Sequence, residues 1–168
     1  MNPSDVIQRI LGIALLRAGP QDLPYSTGLM GTVIALTAAV NYPVIQRYTP
    51  DAEPLAQIGL LVAYNLGFLL AALSLRGHGP RFVQTASALF GSDIVISAVA
   101  LPILLVIGRP DEANALAALA FLALLIWNIA VVRHILSAAL ALGGLASLAT
   151  SLAYIFGASA FVRALTSG

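Results

Sequence analysis

The sequence of 168 residues lacks cysteine and lysine, and only 9% of its residues are charged. Without cysteine the chain can form no disulfide, no thiolate metal site and no cysteine nucleophile. Its eight arginines and seven acidic residues leave a formal net charge of +1. Because nucleic-acid binding needs a strongly basic surface, this balance predicts a protein with no nucleic-acid partner.

The sequence also lacks the short motifs of common catalytic and nucleotide-binding sites. It contains no G-x-S-x-G, no H-E-x-x-H, no P-loop and no G-x-G-x-x-G. Its two histidines have no cysteine or carboxylate partner at metal-ligand spacing. We therefore expect no catalytic residue, no cofactor and no metal site, and we expect that the protein is not an enzyme.

Apolar residues, by contrast, are abundant. They make up 60% of the chain, and the mean hydropathy is +0.95. A typical soluble domain has about 45–50% apolar and about 25% charged residues. A soluble fold of this length could not bury so much apolar surface. The sequence therefore predicts an integral membrane protein in which residues 1–168 form a single membrane domain.

A membrane-spanning helix needs about 20 residues, and the sequence contains five apolar segments of about this length. We place them at about residues 27–45, 55–75, 83–107, 113–132 and 135–161. The last two are divided only by Arg133 and His134, which we interpret as the hinge of a helical hairpin. The predicted fold class is all-α, a polytopic membrane protein with five transmembrane helices.

A short helix is predicted before the first span, at residues 4–18. Its polar and apolar side chains separate onto different faces, and Gly19-Pro20 ends it. Because it is too short to span, we expect an amphipathic helix that lies in the membrane interface with its arginines toward the lipid head groups. The alternative is a cytosolic helix that packs on the bundle.

The distribution of arginines predicts the orientation, because short cytoplasmic loops are enriched in basic residues. With five spans, one side of the membrane holds Arg9, Arg17, Arg76, Arg81 and Arg133, and the other holds Arg47, Arg109 and Arg163. Five arginines against three predict that the N-terminus is cytoplasmic and the C-terminus is outside.

Asp93 is the acidic residue that falls inside a predicted span. Such a carboxylate costs about 2.5–3.5 kcal/mol on insertion scales, so it needs a partner, a proton or water. Counting residues inward from the span ends brings Asn128 and the long side chain of Arg133 near the depth of Asp93. These three residues are a candidate intramembrane polar cluster. It could relay protons or ions, or Asp93 could be neutral or paired and hold the third span to the fourth.

Small and polar residues on the second and fifth spans predict close helix packing. Asn65 is interpreted as a hydrogen-bonding contact between helices, with a ligand pocket as the alternative. The predicted packing residues of the fifth span are Gly143, Gly144, Ser147 and Ser151. They would pack within the chain, most simply against the fourth span, or between the copies of a homo-oligomer.

The segment from Trp127 to Ala139 resembles the C-terminal half of the Yip1-like membrane proteins. It has an aromatic residue in the fourth span, a basic turn at Arg133-His134 and a following span rich in small residues. By layout the resemblance extends over about residues 3–161, and the short N-terminal segment is similar to that of prokaryotic members. The resemblance implies a bacterial inner (plasma) membrane protein with a structural, membrane-organising or partner-binding role. Eukaryotic members are implicated in vesicle trafficking with small GTPases.

Two functions are therefore expected from the sequence. The first is a Yip1-like bundle whose partners are the lipid bilayer and other membrane proteins. The alternative is a small transporter or channel component that uses Asp93 within the membrane. Five spans do not divide into two equal repeats, which counts against a transporter that acts alone.

Overall fold

The computed structural model describes residues 2–48, 53–107 and 115–166. Within these ranges the chain forms no strand and six α-helices: α1 Pro3–Ala14, α2 Thr27–Tyr48, α3 Pro54–Leu75, α4 Phe82–Ile107, α5 Ala115–Leu140 and α6 Gly144–Thr166. Helices α2 to α6 are long and apolar enough to cross a membrane. The prediction of an all-helical integral membrane protein, with a short helix before five spans, is confirmed. Residues 49–52 and 108–114 lie outside the described residues. They include the loop predicted at 108–112 and the first two residues of the predicted fourth span.

Helix α4 is the centre of the bundle. It packs against α1, α2, α3 and α5, while α6 packs against α3 and α5. Half of the most apolar part of α4 is buried inside the protein, whereas the buried share of the corresponding part is 11 to 22% in the other four spans. Small side chains allow this position, because they let neighbouring helices approach closely in lipid. The small buried residues of α4 are Thr85, Ala86, Ser87, Ala88 and Ser92.

Two arginines of the connection between α3 and α4 bind the end of α5 at one end of the bundle. Arg76 donates to the carbonyl of Leu140, and Arg81 donates to the carbonyls of Ala138 and Ala139 at 3.2 and 3.0 Å. The last carbonyls of a helix have no partner within it, and cations there also interact favourably with the helix dipole. We call this end, where α3 and α5 finish and α4 and α6 begin, the arginine end.

Helix α5 does not stop at the predicted hinge. It continues through Arg133 and His134 to Leu140, so the predicted boundary at 132–135 is wrong. The helix tolerates both side chains because neighbouring segments satisfy them. Arg133 Nε donates to Ser147 Oγ at 3.2 Å, and His134 Nε2 donates to the carbonyl of Ala18 at 2.8 Å.

The turn between α5 and α6 instead occupies residues 141–143. Ala141 and Gly144 have φ angles of 52° and 47°, in the left-handed region that favours glycine. Gly143 lies in this turn and Gly144 is the first residue of α6. A Cβ atom at either glycine would meet nothing within 4 Å, so the packed helix face predicted for them begins only at Ser147.

The short helix α1 ends at Ala14, four residues earlier than predicted. Leu16 has a φ angle of 61°, and the N–H groups of Arg17 and Ala18 both donate to the carbonyl of Gly12, at 2.7 and 3.2 Å. This reversal closes the helix and turns the chain back toward the start of α2.

Candidate functional site

A polar link joins α2 to α4 near the middle of the bundle. Asn41 Nδ2 donates to Asp93 Oδ2 at 2.8 Å, and Asn41 Oδ1 accepts from Ser97 Oγ at 3.2 Å. One turn earlier on both helices, Thr37 Oγ1 donates to the carbonyl of Phe90 at 2.9 Å. The contacts advance in the same direction along both helices, so α2 and α4 run parallel and hold Asp93 against Asn41.

A cavity of about 310 Å³ lies beside this link. Each of the five spans contributes at least one polar side chain to its wall. These are Asn41 from α2, Asn65 from α3, Asp93 from α4, Asn128 from α5 and Tyr154 from α6. Because the residues come from five separate helices, the cavity depends on the assembled bundle.

Two polar atoms in the cavity wall have no hydrogen-bond partner among the described residues. They are Asn65 Oδ1 and Ser92 Oγ, both fully inaccessible as atoms, and Ser92 as a residue is 1% exposed. A buried polar atom without a partner costs about 1–3 kcal/mol of stability. Two unpaired polar atoms therefore lie in residues of the wall around Asp93, although neither atom is accessible from the cavity in this conformation.

The cavity extends from the middle of the bundle away from the arginine end. Its wall reaches Ile45 on α2, Ile58 on α3 and Ser159 on α6, which all lie toward the opposite end. On the arginine side, the bundle is filled by fully buried leucine and isoleucine side chains. These are Leu69, Leu73, Ile135, Leu136 and Leu140. The cavity is therefore closed toward the arginine end by an apolar layer.

Aromatic rings hold α3 to α6 beside the cavity. Tyr64 lies 5.5 Å from Phe161 and 6.4 Å from Tyr154 between ring centroids, and Phe68 lies 5.3 Å from Tyr154. The hydroxyl of Tyr64 donates to the carbonyl of Ala153 at 3.1 Å. Aromatic pairs at these distances stabilise a fixed arrangement, so the Tyr154 wall of the cavity is well anchored.

The cavity has the electrostatic character of a cation site. Asp93 is the single acidic residue in the sequence of α2 to α6. Among the described residues, no arginine or histidine lines the cavity. Its other polar groups are amides and hydroxyls, whose oxygens can face a positive charge.

The structure brings together two members of the predicted polar cluster and separates the third. Asp93 and Asn128 line the same cavity. Arg133 does not line it, because its exposed side chain bonds Ser147 on α6. Asn65, predicted as a packing contact with a pocket as the alternative, lies in the cavity wall. Ser147 and Ser151 of the predicted packing series are buried, at 1% and 0% exposure.

The sequence analysis missed Asn41, Thr37, Ser92 and Tyr154 as parts of this site. A signal for Asn41 was present, because α2 and α4 both start at the arginine end and their polar residues can be counted from there. Asn41 is 14 residues from the start of α2 and Asp93 is 11 from the start of α4, a difference of about one helical turn. The other three carry no charge and have no distinguishing spacing.

Comparisons with family profiles, curated proteins and solved structures found no match. The Yip1-like resemblance therefore stays a prediction, and the site is interpreted from its own chemistry.

Proposed function

We propose that the protein is a membrane carrier or channel component that binds a small cation, or a small solute with a positive charge, at Asp93. One observation carries the proposal: polar groups from all five spans surround a cavity that contains the single carboxylate of the spans. Ionisable residues inside membrane spans usually face a cavity and mark ion or substrate pathways.

The chemistry of the wall favours a positively charged occupant. Electrostatic attraction between a carboxylate and a cation is several times stronger in a medium of low dielectric constant than in water. Asn65, Asn128 and Ser92 supply neutral oxygens around the same space. Ligand pockets commonly measure about 300–1,000 Å³, so a cavity at the lower end of this range suits a small occupant.

The apolar layer of Leu73, Ile135 and Leu136 supports access from one side at a time. A carrier must open this layer during its cycle, whereas a channel component would meet a further pore-forming subunit there. Homo-oligomer formation or a partner membrane protein would supply that subunit.

The proposal is tested with purified protein in liposomes that contain a pH-sensitive dye. Sodium, potassium and tetramethylammonium gradients are applied in turn, and the initial rates of ion and proton flux are measured. We expect a flux that saturates with one of these cations. At cation concentrations below saturation, this flux should fall at least about tenfold in Asp93→Asn, as expected for a loss of about 1.4 kcal/mol in binding affinity.

Ser87→Ala is the matched control. Ser87 is a fully buried polar residue of the same helix, its hydroxyl bonds the carbonyl of Val83, and it lies outside the cavity wall. Its flux per folded protein should equal that of the parent. Equal flux in the parent and Asp93→Asn, with only a lower thermal stability in Asp93→Asn, would contradict the proposal. That result would favour the structural or partner-binding role that the resemblance implies.

The arginine distribution supports a cytoplasmic arginine end. Residues 76–81 carry two arginines and no acidic residue. In this orientation, which is part of the proposal, the protein resides in a bacterial inner membrane and the cavity faces the outside.

A further inference from the structure

We propose that α1 and residues 15–23 form a re-entrant insertion in the leaflet at the arginine end, with the exposed apolar row Ile7, Leu11 and Leu15 in contact with lipid acyl chains. This inference is independent of the cavity and of the proposed function. It rests on the depth of α1 beside the spans, on the partners of its backbone and on its outer face.

The contacts of α1 place it beside the middle of α4. Ile10 packs against Gly91 so closely that a Cβ atom at Gly91 would lie 3.0 Å from Ile10 Cδ1. Gly91 is nine residues, or about 14 Å, from the start of α4 at the arginine end. A helix that lies in the interface is buried by only about 5–10 Å. With the membrane surface placed at the start of α4, Ile10 lies deeper than such a helix reaches.

The end of α1 lies at a similar or greater depth beside α5. Trp127 Nε1 donates to the carbonyl of Ala14 at 2.9 Å. Trp127 is thirteen residues, or about 20 Å, before the end of α5 at the arginine end. Helical side chains lean toward the N-terminus of their helix, which for α5 points away from the arginine end. Helix α1 thus descends into the leaflet, with its C-terminus as the deepest point.

The backbone of the returning segment is satisfied by side chains, as lipid surroundings require. Five carbonyls between residues 14 and 23 accept from side-chain donors: Ala14 from Trp127, Ala18 from His134, Asp22 from Arg9, and both Gln21 and Leu23 from Gln84. Within lipid, each unsatisfied backbone group would cost several kcal/mol, whereas in water the solvent would supply the partner. These donors make an irregular segment tolerable at this depth.

The outer face of α1 carries an apolar row, with the polar residues Ser4 and Gln8 exposed beside it. Ile7, Leu11 and Leu15 are spaced by four residues and are 58%, 42% and 54% exposed, while Ile13 and Ala14 on the other side are fully buried. At this depth the row continues the apolar surface of α5, where Ile126 is 59% exposed. The surrounding medium for both is the hydrocarbon of the leaflet. The exposed side chain of Arg17 is long enough to extend toward the head groups.

The test measures depth along α1 with nitroxide labels in lipid nanodiscs. Because the chain contains no cysteine, single cysteines at Ser4, Ile7 and Leu11 can be labelled without removing any other residue. Ile126→Cys on the exposed middle of α5 is the deep reference, and Ser74→Cys near the end of α3 is the shallow reference. The ratio of oxygen to water-soluble nickel-complex collisions reports the depth of each label.

We expect the ratio to rise from Ser4 through Ile7 to Leu11, and at Leu11 to lie severalfold above that of Ser74 and close to that of Ile126. A helix parallel to the membrane surface, as the sequence alone predicts, would give equal and shallow values at all three positions and would overturn the proposal. Exclusion of both reagents together with dipolar broadening between labels would also overturn it, because it would show that a second copy covers the row.

Discussion

Asp93 depends on one residue of a neighbouring helix for its position. Asn41 donates to its carboxylate and accepts from Ser97 one turn further along α4, so a single amide fixes two groups of the same helix. The Asn41 amide bonds Oδ2 of Asp93 and does not bond the other carboxylate oxygen. Asn41 therefore positions the carboxylate without neutralising it.

Replacement of Asn41 by alanine should lower the free energy of unfolding by about 1–3 kcal/mol, because the buried carboxylate loses its donor. Equilibrium unfolding in mixed detergent micelles measures this loss. In an Asp93→Ala background the cost of Asn41→Ala should shrink by at least about 0.5 kcal/mol, as expected for groups in direct contact. Thr32→Ala, which removes an exposed hydroxyl of the same helix, should cost less than about 0.5 kcal/mol. Equal costs in Asn41→Ala and Thr32→Ala would contradict this role of Asn41.

Replacement of Ser92 by alanine should have opposite effects on stability and on binding. The buried hydroxyl has no partner among the described residues, so its removal should leave stability unchanged or raise it by up to about 1 kcal/mol. Binding of the cation identified in the flux assay should weaken, because one neutral oxygen of the wall is lost. Thermal unfolding and titration calorimetry measure the two effects. Ser87→Ala should instead lose stability and keep its affinity, since its hydroxyl bonds the carbonyl of Val83.

At the scale of the elements, one contact between α3 and α6 is especially close. The Tyr64 hydroxyl lies where a side chain at Gly157 would begin. The absence of a side chain at Gly157 lets the Tyr64 hydroxyl approach α6 and reach the carbonyl of Ala153. Glycine therefore acts here by leaving space and not by an unusual backbone angle.

Replacement of Gly157 by alanine should destabilise the bundle by about 1–3 kcal/mol, because Tyr64 must move out of its position. Adding Tyr64→Phe removes the hydroxyl that fills the space, so the double variant should lose less than the sum of the two single variants. Gly67→Ala on α3 is the control, since a Cβ there meets nothing within 4 Å and should leave stability unchanged or slightly raised. Strictly additive costs in the double variant would show that the two residues do not interact.

The elements also show where sequence reasoning succeeds and fails. The first three predicted spans start within one residue of α2, α3 and α4, because long apolar segments are defined by composition alone. The prediction failed at Arg133 and His134, where two polar side chains in an apolar run suggested a helix break. Their partners, Ser147 and Ala18, come from segments 14 and 116 residues away in the sequence. Such long-range contacts cannot be derived from spacing along the chain.

The site illustrates the same limit. Asp93 was identifiable because a carboxylate in an apolar helix is rare and costly. The order of the spans makes α2 and α4 parallel, but that they are neighbours, and that Asn41 is therefore the partner of Asp93, follows from packing. The polar residues Asn65, Asn128 and Tyr154 face the same space only because α3, α5 and α6 surround α4 or its neighbours.

At the scale of the whole molecule, charge and cavity together give the protein two different sides. The arginine end combines guanidinium groups with an apolar layer, while the cavity extends toward the opposite end. For the proposed function, a molecule with this asymmetry must insert into the membrane in one orientation. The unequal distribution of arginine between the two sides can determine that orientation.

Single cysteines test the proposed orientation. His78→Cys lies at the arginine end and Ala56→Cys lies at the start of α3 on the opposite end. In intact bacterial cells, a membrane-impermeant maleimide should label Ala56→Cys. It should label His78→Cys only after the cells have been permeabilised. The parent chain, which has no cysteine, provides the background. Labelling of His78→Cys in intact cells would show that the orientation is opposite to the proposed one.

The hydrogen bond between Trp127 and Ala14 has an optical consequence. The chain has a single tryptophan, so fluorescence excited selectively from indole comes from one position. An indole whose N–H is held by a carbonyl emits at a longer wavelength than one in hydrocarbon without a hydrogen bond, and at a shorter wavelength than one in contact with water. The emission of the unlabelled protein is therefore an intrinsic signal of whether its N-terminal helix is docked against α5, in detergent as well as in lipid.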